Sequence, residues 1–176
     1  ENSFSNELVK IQKKIDVVLD GCLRYWVLPE NFGLEYCVFK WPECEWRQEW
    51  EDDIHKELPS INQPFKFVIC GIQINPDGCV VAKGFDEGGE IFKLRKKLKE
   101  RLDFLPERQS GWAHVPLGRI LEPVGKTKFS NLSKLCSEFS NKYITSCEIN
   151  TIKFVYEKQW YMENKNVLKK YHFGLN

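Results

Sequence analysis

Apolar periodicity along this chain switches repeatedly between helical and strand spacing, and the order of those switches limits the chain to an α+β architecture. Between residues 5 and 19, Leu8, Ile11, Ile15, Val18 and Leu19 recur at helical spacing, with Ser5 or Asn6 as cap and Gly21 as stop. Residues 23–28 and 34–41 read as strands on either side of the turn Pro29-Glu-Asn-Phe-Gly33. A charged helix follows over about 46–58, ended by Pro59, and Phe65-Lys-Phe-Val-Ile-Cys-Gly-Ile-Gln-Ile74 reads as a strand. The turn Asn75-Pro-Asp-Gly78 then leads into a short strand over 79–85.

The second half repeats that order as helix 90–102, strand 112–121, helix 129–142 and strand 147–156. A shift of about 79 residues places Glu35 on His114 and brings strand 65–74 close to 147–156. Two such units usually pack about a pseudo-two-fold axis. The expectation is one domain over residues 1–176, with lobes of roughly 1–85 and 86–176 around a central cleft. An α+β sandwich without symmetry is the alternative.

Composition excludes several classes. The 26 Lys and Arg nearly cancel the 25 Asp and Glu, so there is no global basic field to hold nucleic acid non-specifically. No apolar run approaches the roughly 20 residues that span a bilayer. The first residues, Glu1-Asn-Ser-Phe-Ser5, have no basic-then-apolar signal pattern. The seven cysteines form no Cys-x-x-Cys pair, and several fall in strands; they read as free thiols in a reducing, cytoplasmic compartment. A zinc site needs clustered ligands, and Cys37, Cys44 and distant His55 do not supply them.

The motif that stands out is Gly111-Trp-Ala-His-Val-Pro-Leu-Gly-Arg119, a histidine opening an apolar strand between two helices. Its counterpart in the first half is Pro29-Glu-Asn-Phe-Gly-Leu-Glu-Tyr-Cys-Val-Phe39. Together, over roughly residues 23–173, they resemble the 2H phosphoesterases, the family of cyclic nucleotide phosphodiesterases and 2′-5′ RNA ligases. The resemblance implies a bilobal fold in which each half brings a His-x-Thr or His-x-Ser strand to the cleft. One histidine serves as base and the other as acid on a phosphodiester, the hydroxyls hold its oxygens, and no metal or other cofactor takes part. Residues i and i+2 of a strand share a face, which accounts for the spacing.

Of four signature positions, His114 alone is filled in the family's manner. Pro116 stands where a hydroxyl belongs and offers neither hydroxyl nor N–H. In the first half Glu35 takes the histidine position and Cys37 the hydroxyl position; a register one residue later puts Tyr36 and Val38 there. Glu35 can act as a base in place of histidine. Arg119 is a candidate donor to phosphate, although strand alternation sets it on the face opposite His114. The implied ligand is a nucleotide or RNA phosphodiester bound in the cleft, with catalysis weak or lost. The alternative is a non-catalytic module that binds a nucleotide, RNA or protein there.

Other conspicuous residues have plainer readings. His55 lies on the charged helix and reads as solvated, as does His172 beside Lys169 and Lys170. The run Lys93-Leu-Arg-Lys-Lys-Leu-Lys-Glu-Arg101 has leucines at helical spacing, so its basic residues form the solvated side of an amphipathic helix. Trp46, within Trp41–Trp50, is either a stacking platform for a base or a core anchor, with packing favoured.

Overall fold

The structure, a computed structural model, describes residues 3–60 and 63–173. Its elements are α1 (Ser3–Val18), β1 (Arg24–Trp26), α2 (Glu49–Glu57), β2 (Phe65–Ile74), β3 (Cys79–Asp86), α3 (Glu90–Arg101), β4 (Ala113–Ile120), α4 (Lys126–Phe139), β5 (Thr145–Ile149), β6 (Thr151–Gln159) and β7 (Asn164–His172). The class is α+β, as the periodicity predicts. Strands β1-β4-β3-β2-β5 form one antiparallel sheet, and β6 and β7 pair separately as a hairpin. The larger sheet curls into a half-barrel, and α1 touches both β4 and β5 on opposite sides of it.

Two apolar clusters hold these layers. Leu8, Ile11 and Ile15 of α1 and Leu19 just after it bury against Ile69, Val80, Val115 and Leu117 of the sheet, with Leu132 of α4 alongside. Ile54 of α2 and Leu94 and Leu98 of α3 pack with Ile152, Phe154 and Tyr171 of the hairpin. Fully burying each such side chain stabilises by about 1.5–3 kcal/mol. The sheet draws β1 to β3 from the first half of the chain and β4 and β5 from the second. The second cluster likewise joins α2 to α3, β6 and β7. Strand edges select partners by ladder fit and burial, so the cores do not follow the division between sequence halves.

The turn after β2 is specified locally. Gly78 has φ +85°, and a Cβ there would lie 2.2 Å from the Ile120 carbonyl, so glycine alone fits. Its own carbonyl accepts from Ile120 N at 2.9 Å, which docks the turn on β4.

Three differences from the sequence reading stand out. The predicted strand 147–156 is two strands, because the chain leaves the large sheet after Ile149 and enters the hairpin at Thr151. Strand β7 was not anticipated; register shifts in its pairing with β6 and several exposed lysines hide the alternation. The predicted strand 34–41 pairs with no strand among the described residues. Side chains take the place of a neighbour there. Gln109 accepts from Val38 N through Oε1 at 3.0 Å and donates to Val38 O from Nε2 at 2.7 Å. Its amide also reaches Pro106 O at 3.1 Å, closing the loop before β4.

Gln109→Ala leaves the N–H and C=O of half-buried Val38 without partners, so a loss of about 2 kcal/mol is expected. Urea unfolding of the two proteins measures it, and equal midpoints would refute the assigned role.

Candidate functional site

Ala113, Val115 and Leu117 of β4 turn into the first cluster, which leaves His114 and Pro116 on the other face. The ladder then shifts. Val81 pairs with Pro116 while Val80 pairs with Gly118, so Leu117 is an extra residue on β4. A proline within a strand belongs at such an irregularity, since it cannot donate to the ladder. The shift reverses the alternation beyond it. Arg119 pairs with Cys79, which shares a face of β3 with Val81 and Lys83, the partners of Pro116 and His114. Arg119 is therefore on the same face as His114, contrary to simple alternation.

Arg119 still does not reach His114. Five residues of strand separate them by roughly 16 Å. Its Nη2 lies 2.6 Å from Asp77 Oδ2, and its Nε donates to Asp77 O at 3.2 Å. Over the same end of the face sits the tip of the hairpin. Tyr161 stacks on Tyr25 with centroids 5.3 Å apart, and its hydroxyl approaches Cys79 Sγ at 4.0 Å.

At the other end, the His114 ring stacks on Trp112, centroids 4.5 Å apart and planes 26° from parallel. His114 Nδ1 is buried without a hydrogen-bond partner. Burial and then the Arg95 charge push the imidazole pKa below its ordinary value, with the Trp112 backbone opposing them. His114 is thus held neutral, able to accept a proton but a poor cation.

Arg95 is the residue that sequence reasoning missed. Leu94, Leu98 and Leu102 are buried as the helical spacing predicts, and Lys93, Lys96 and Lys99 are exposed. Arg95 instead turns inward. Its Nε donates to Tyr36 O at 2.6 Å, Nη2 to Glu35 O at 2.8 Å, and Nη1 to Trp112 O at 3.1 Å. One guanidinium therefore ties the segment bearing Glu35 to the segment bearing His114. A signal was present: Arg95 is an arginine set among the lysines of that run, and its planar fork suits several carbonyls at once.

The first segment divides its side chains. Tyr36 enters the seam between both clusters, edge-on to Phe65 at 6.3 Å, and its buried hydroxyl has no partner. Burial first, then Asp86, raises its pKa strongly. Cys37 is half-buried, and burial pushes its thiol up to about 12. Glu35 is exposed to solvent yet has protein on several sides. Burial raises its pKa; Arg95 opposes the rise and Glu157 of β6 adds to it.

Trp46 sits in the second cluster, edge-on to Trp50 at 5.7 Å and 6.5 Å from Phe154, while Trp50 stacks on Phe104 at 4.5 Å. Trp46 thus packs against the second cluster, as the packing alternative expects. His55 is not simply solvated: Nδ1 bonds the Tyr171 hydroxyl, and the ring packs edge-on to Phe154 at 5.7 Å. His172 is exposed and pairs with Thr151 Oγ1 at 3.1 Å. Among the described residues, the seven cysteines are unpaired and no cluster of three His, Cys, Asp or Glu could hold a metal ion. No described helix is long and apolar enough to cross a membrane.

Neither a protein-family model nor a curated protein matches this sequence. Among solved structures it is similar to the crystal structure of TT0787 of Thermus thermophilus. The TM-score is 0.68 at 14% identity, over 95% of this chain and 91% of that one. The two share a fold along nearly their whole length.

Two measurements probe the site. Arg95→Met removes three charge-assisted hydrogen bonds and leaves their carbonyls unmatched, so a loss of about 3 kcal/mol or more in urea unfolding is expected. An unchanged midpoint would rule out the tie. For His114 the sign follows from its depressed folded pKa: the unfolded chain takes up the proton first. The stability due to neutral His114 is complete above the unfolded value near 6.5 and is lost as pH falls below it. Glu35, with a raised folded pKa, runs the other way, favouring the fold as pH drops toward about 4.3. His114→Gln should therefore flatten the fall in stability between about pH 6.5 and 5. Parallel profiles for the two proteins would contradict this.

Proposed function

We propose that this chain is a 2H phosphoesterase-like protein, two-lobed about a central cleft. It binds a cyclic or 2′-5′ phosphodiester, as nucleotide or RNA end, between Glu35 and His114, with catalysis weak or lost. The observation that carries the reading is the Arg95 tie, which holds the backbones of the two motif-bearing segments on one guanidinium. The full-length likeness of fold to a solved structure is compatible with it.

The chemistry follows from the residues. Neutral His114 takes a proton from water as it attacks phosphorus. The P–O bond to the leaving oxygen breaks, and that oxygen takes a proton from the Glu35 carboxyl, whose raised pKa moves it toward the acid form. The weakness lies in holding the phosphate. Pro116 lacks the hydroxyl that would bind a non-bridging oxygen, and Cys37 is a poor donor. One hydrogen bond to a charged group contributes roughly 1.5–3 kcal/mol, so its absence slows turnover about 10- to 150-fold. The alternative, a non-catalytic module using the same cleft, differs only in having no turnover at all.

Incubation with 2′,3′-cyclic nucleotides and 2′-5′ oligoadenylates distinguishes these. Ligand-dependent thermal stabilisation with slow turnover is expected, and His114→Ala should abolish that turnover. Pro116→Thr with Cys37→Thr, alone and with Glu35→His, should raise kcat/KM at least tenfold. Turnover by the unmodified protein at rates ordinary for enzymes would show that the site is not impaired. Neither stabilisation nor turnover would remove the phosphodiester reading altogether.

A further inference from the structure

The end of α1 and the start of α4 meet at two reactive side chains that lie outside the region around Glu35 and His114. Lys128, in the first turn of α4, is half-buried. Its Nζ donates to the Asp20 carbonyl and lies 3.4 Å from Cys22 Sγ. A lysine bonded to one of the last carbonyls of a helix is an ordinary cap. A thiol held against the same ammonium is not part of that role.

Both partners are fixed independently of their contact. Cys22 N donates to Leu19 O at 2.8 Å, and Arg24 Nη1 donates to Cys22 O at 2.8 Å and to Leu19 O at 3.2 Å. Arg24 is itself held by Asp16. Gly21, with φ +74°, puts no side chain between the lysine and this turn; a Cβ there would lie 4.0 Å from Lys128 Nζ. An amine kept this close to a sulfur reacts as though present at very high concentration. Cys22 is partly open to solvent between exposed Gly21 and Leu23, so a small oxidant can reach it.

Peroxide turns a thiol into a sulfenic acid, which either condenses with a nucleophile at hand or is oxidised further and irreversibly. The nucleophile touching Cys22 Sγ is an amine. We propose that Cys22 and Lys128 are a modification site, at which peroxide forms a reversible sulfenamide cross-link between α1 and α4. In the first step the O–O bond of hydrogen peroxide breaks, one oxygen bonds Cys22 Sγ and the other leaves as water; the sulfur is oxidised by two electrons. In the second step the Lys128 ammonium gives a proton to solvent and its nitrogen attacks that sulfur. The S–N bond forms as the S–O bond breaks, and the hydroxyl leaves as water with a further proton from nitrogen. An outside thiol that attacks the sulfur frees the amine, and a second thiol then restores Cys22 by exchange. The bridge closes the chain between residues 22 and 128, which stabilises the fold mainly by restricting the unfolded state.

The test treats the natural protein and Lys128→Arg with hydrogen peroxide, alkylates the remaining thiols and identifies the peptides by mass spectrometry, with and without dithiothreitol. The natural protein should give a peptide pair joined through Cys22 and Lys128, about two mass units lighter than its reduced halves and absent after dithiothreitol. Lys128→Arg keeps the cation but has no attacking amine. Its Cys22 should persist as sulfenic acid and take up a 1,3-diketone probe roughly fivefold or more above the natural protein. Peroxide should raise the urea midpoint of the natural protein, dithiothreitol should return it, and Lys128→Arg should show no rise. If Lys128→Arg fails to fold, Cys22→Ser reads the same outcome, since its midpoint should not respond to peroxide. A digest without the peptide pair, equal probe uptake by the two proteins, or Cys22 bridged to another cysteine overturns the proposal. So does a peroxide response of Cys22→Ser equal to that of the natural protein.

Discussion

A single guanidinium inside the fold organises the region around His114. The chain from Leu34 to Trp41 runs extended with no strand beside it, yet buried carbonyls must find donors. Arg95 supplies them to Glu35 and Tyr36 and spends its third direction on Trp112. Because the cation is bound by neutral carbonyls, its charge is not cancelled locally. That charge works against the rise in the Glu35 pKa and adds to the fall in the His114 pKa. The contact that ties these segments therefore also modulates two pKa values that burial shifts first.

Irregularities in the strands decide which side chains share a face. The extra residue Leu117 accommodates Pro116 within β4 and brings Arg119 round to the side of His114. The turn that docks on Ile120 then supplies Asp77, which holds Arg119 at the far end of the face. Bringing a charge to the right side of a sheet is thus distinct from making it available. A carboxylate one turn away decides the second question.

The tryptophan-rich segment has a structural role with a functional consequence. A two-stranded hairpin is marginally stable by itself, and β6–β7 is held by the packing of Phe39, Trp46 and His55 around Phe154. Its tip is fastened separately, by Tyr25 stacking on Tyr161 and by Lys165 bonding Asn31. Anchored at base and tip, the hairpin keeps Glu157 where its charge acts on the Glu35 carboxyl. The aromatic cluster thereby positions the Glu157 charge.

The sequence by itself determined the α+β class and most elements, because helical and strand periods in Leu8–Leu19, Leu94–Leu102 and Phe65–Ile74 record which side of each segment is buried. It also marked His114 and the Gly78 turn, whose requirements are local. Tertiary structure decided the rest. Whether 34–41 joins a ladder depends on what lies beside it, and Gln109 and Arg95 come from distant parts of the chain. The split at Asn150, the phase of Arg119 and the inward turn of Arg95 each depend on a partner that no local pattern identifies. Periodicity reports the burial of a segment's own faces. It carries no record of which donor, bulge or neighbouring strand satisfies the backbone, and those choices tied the Glu35, Tyr36 and Trp112 backbones to one guanidinium.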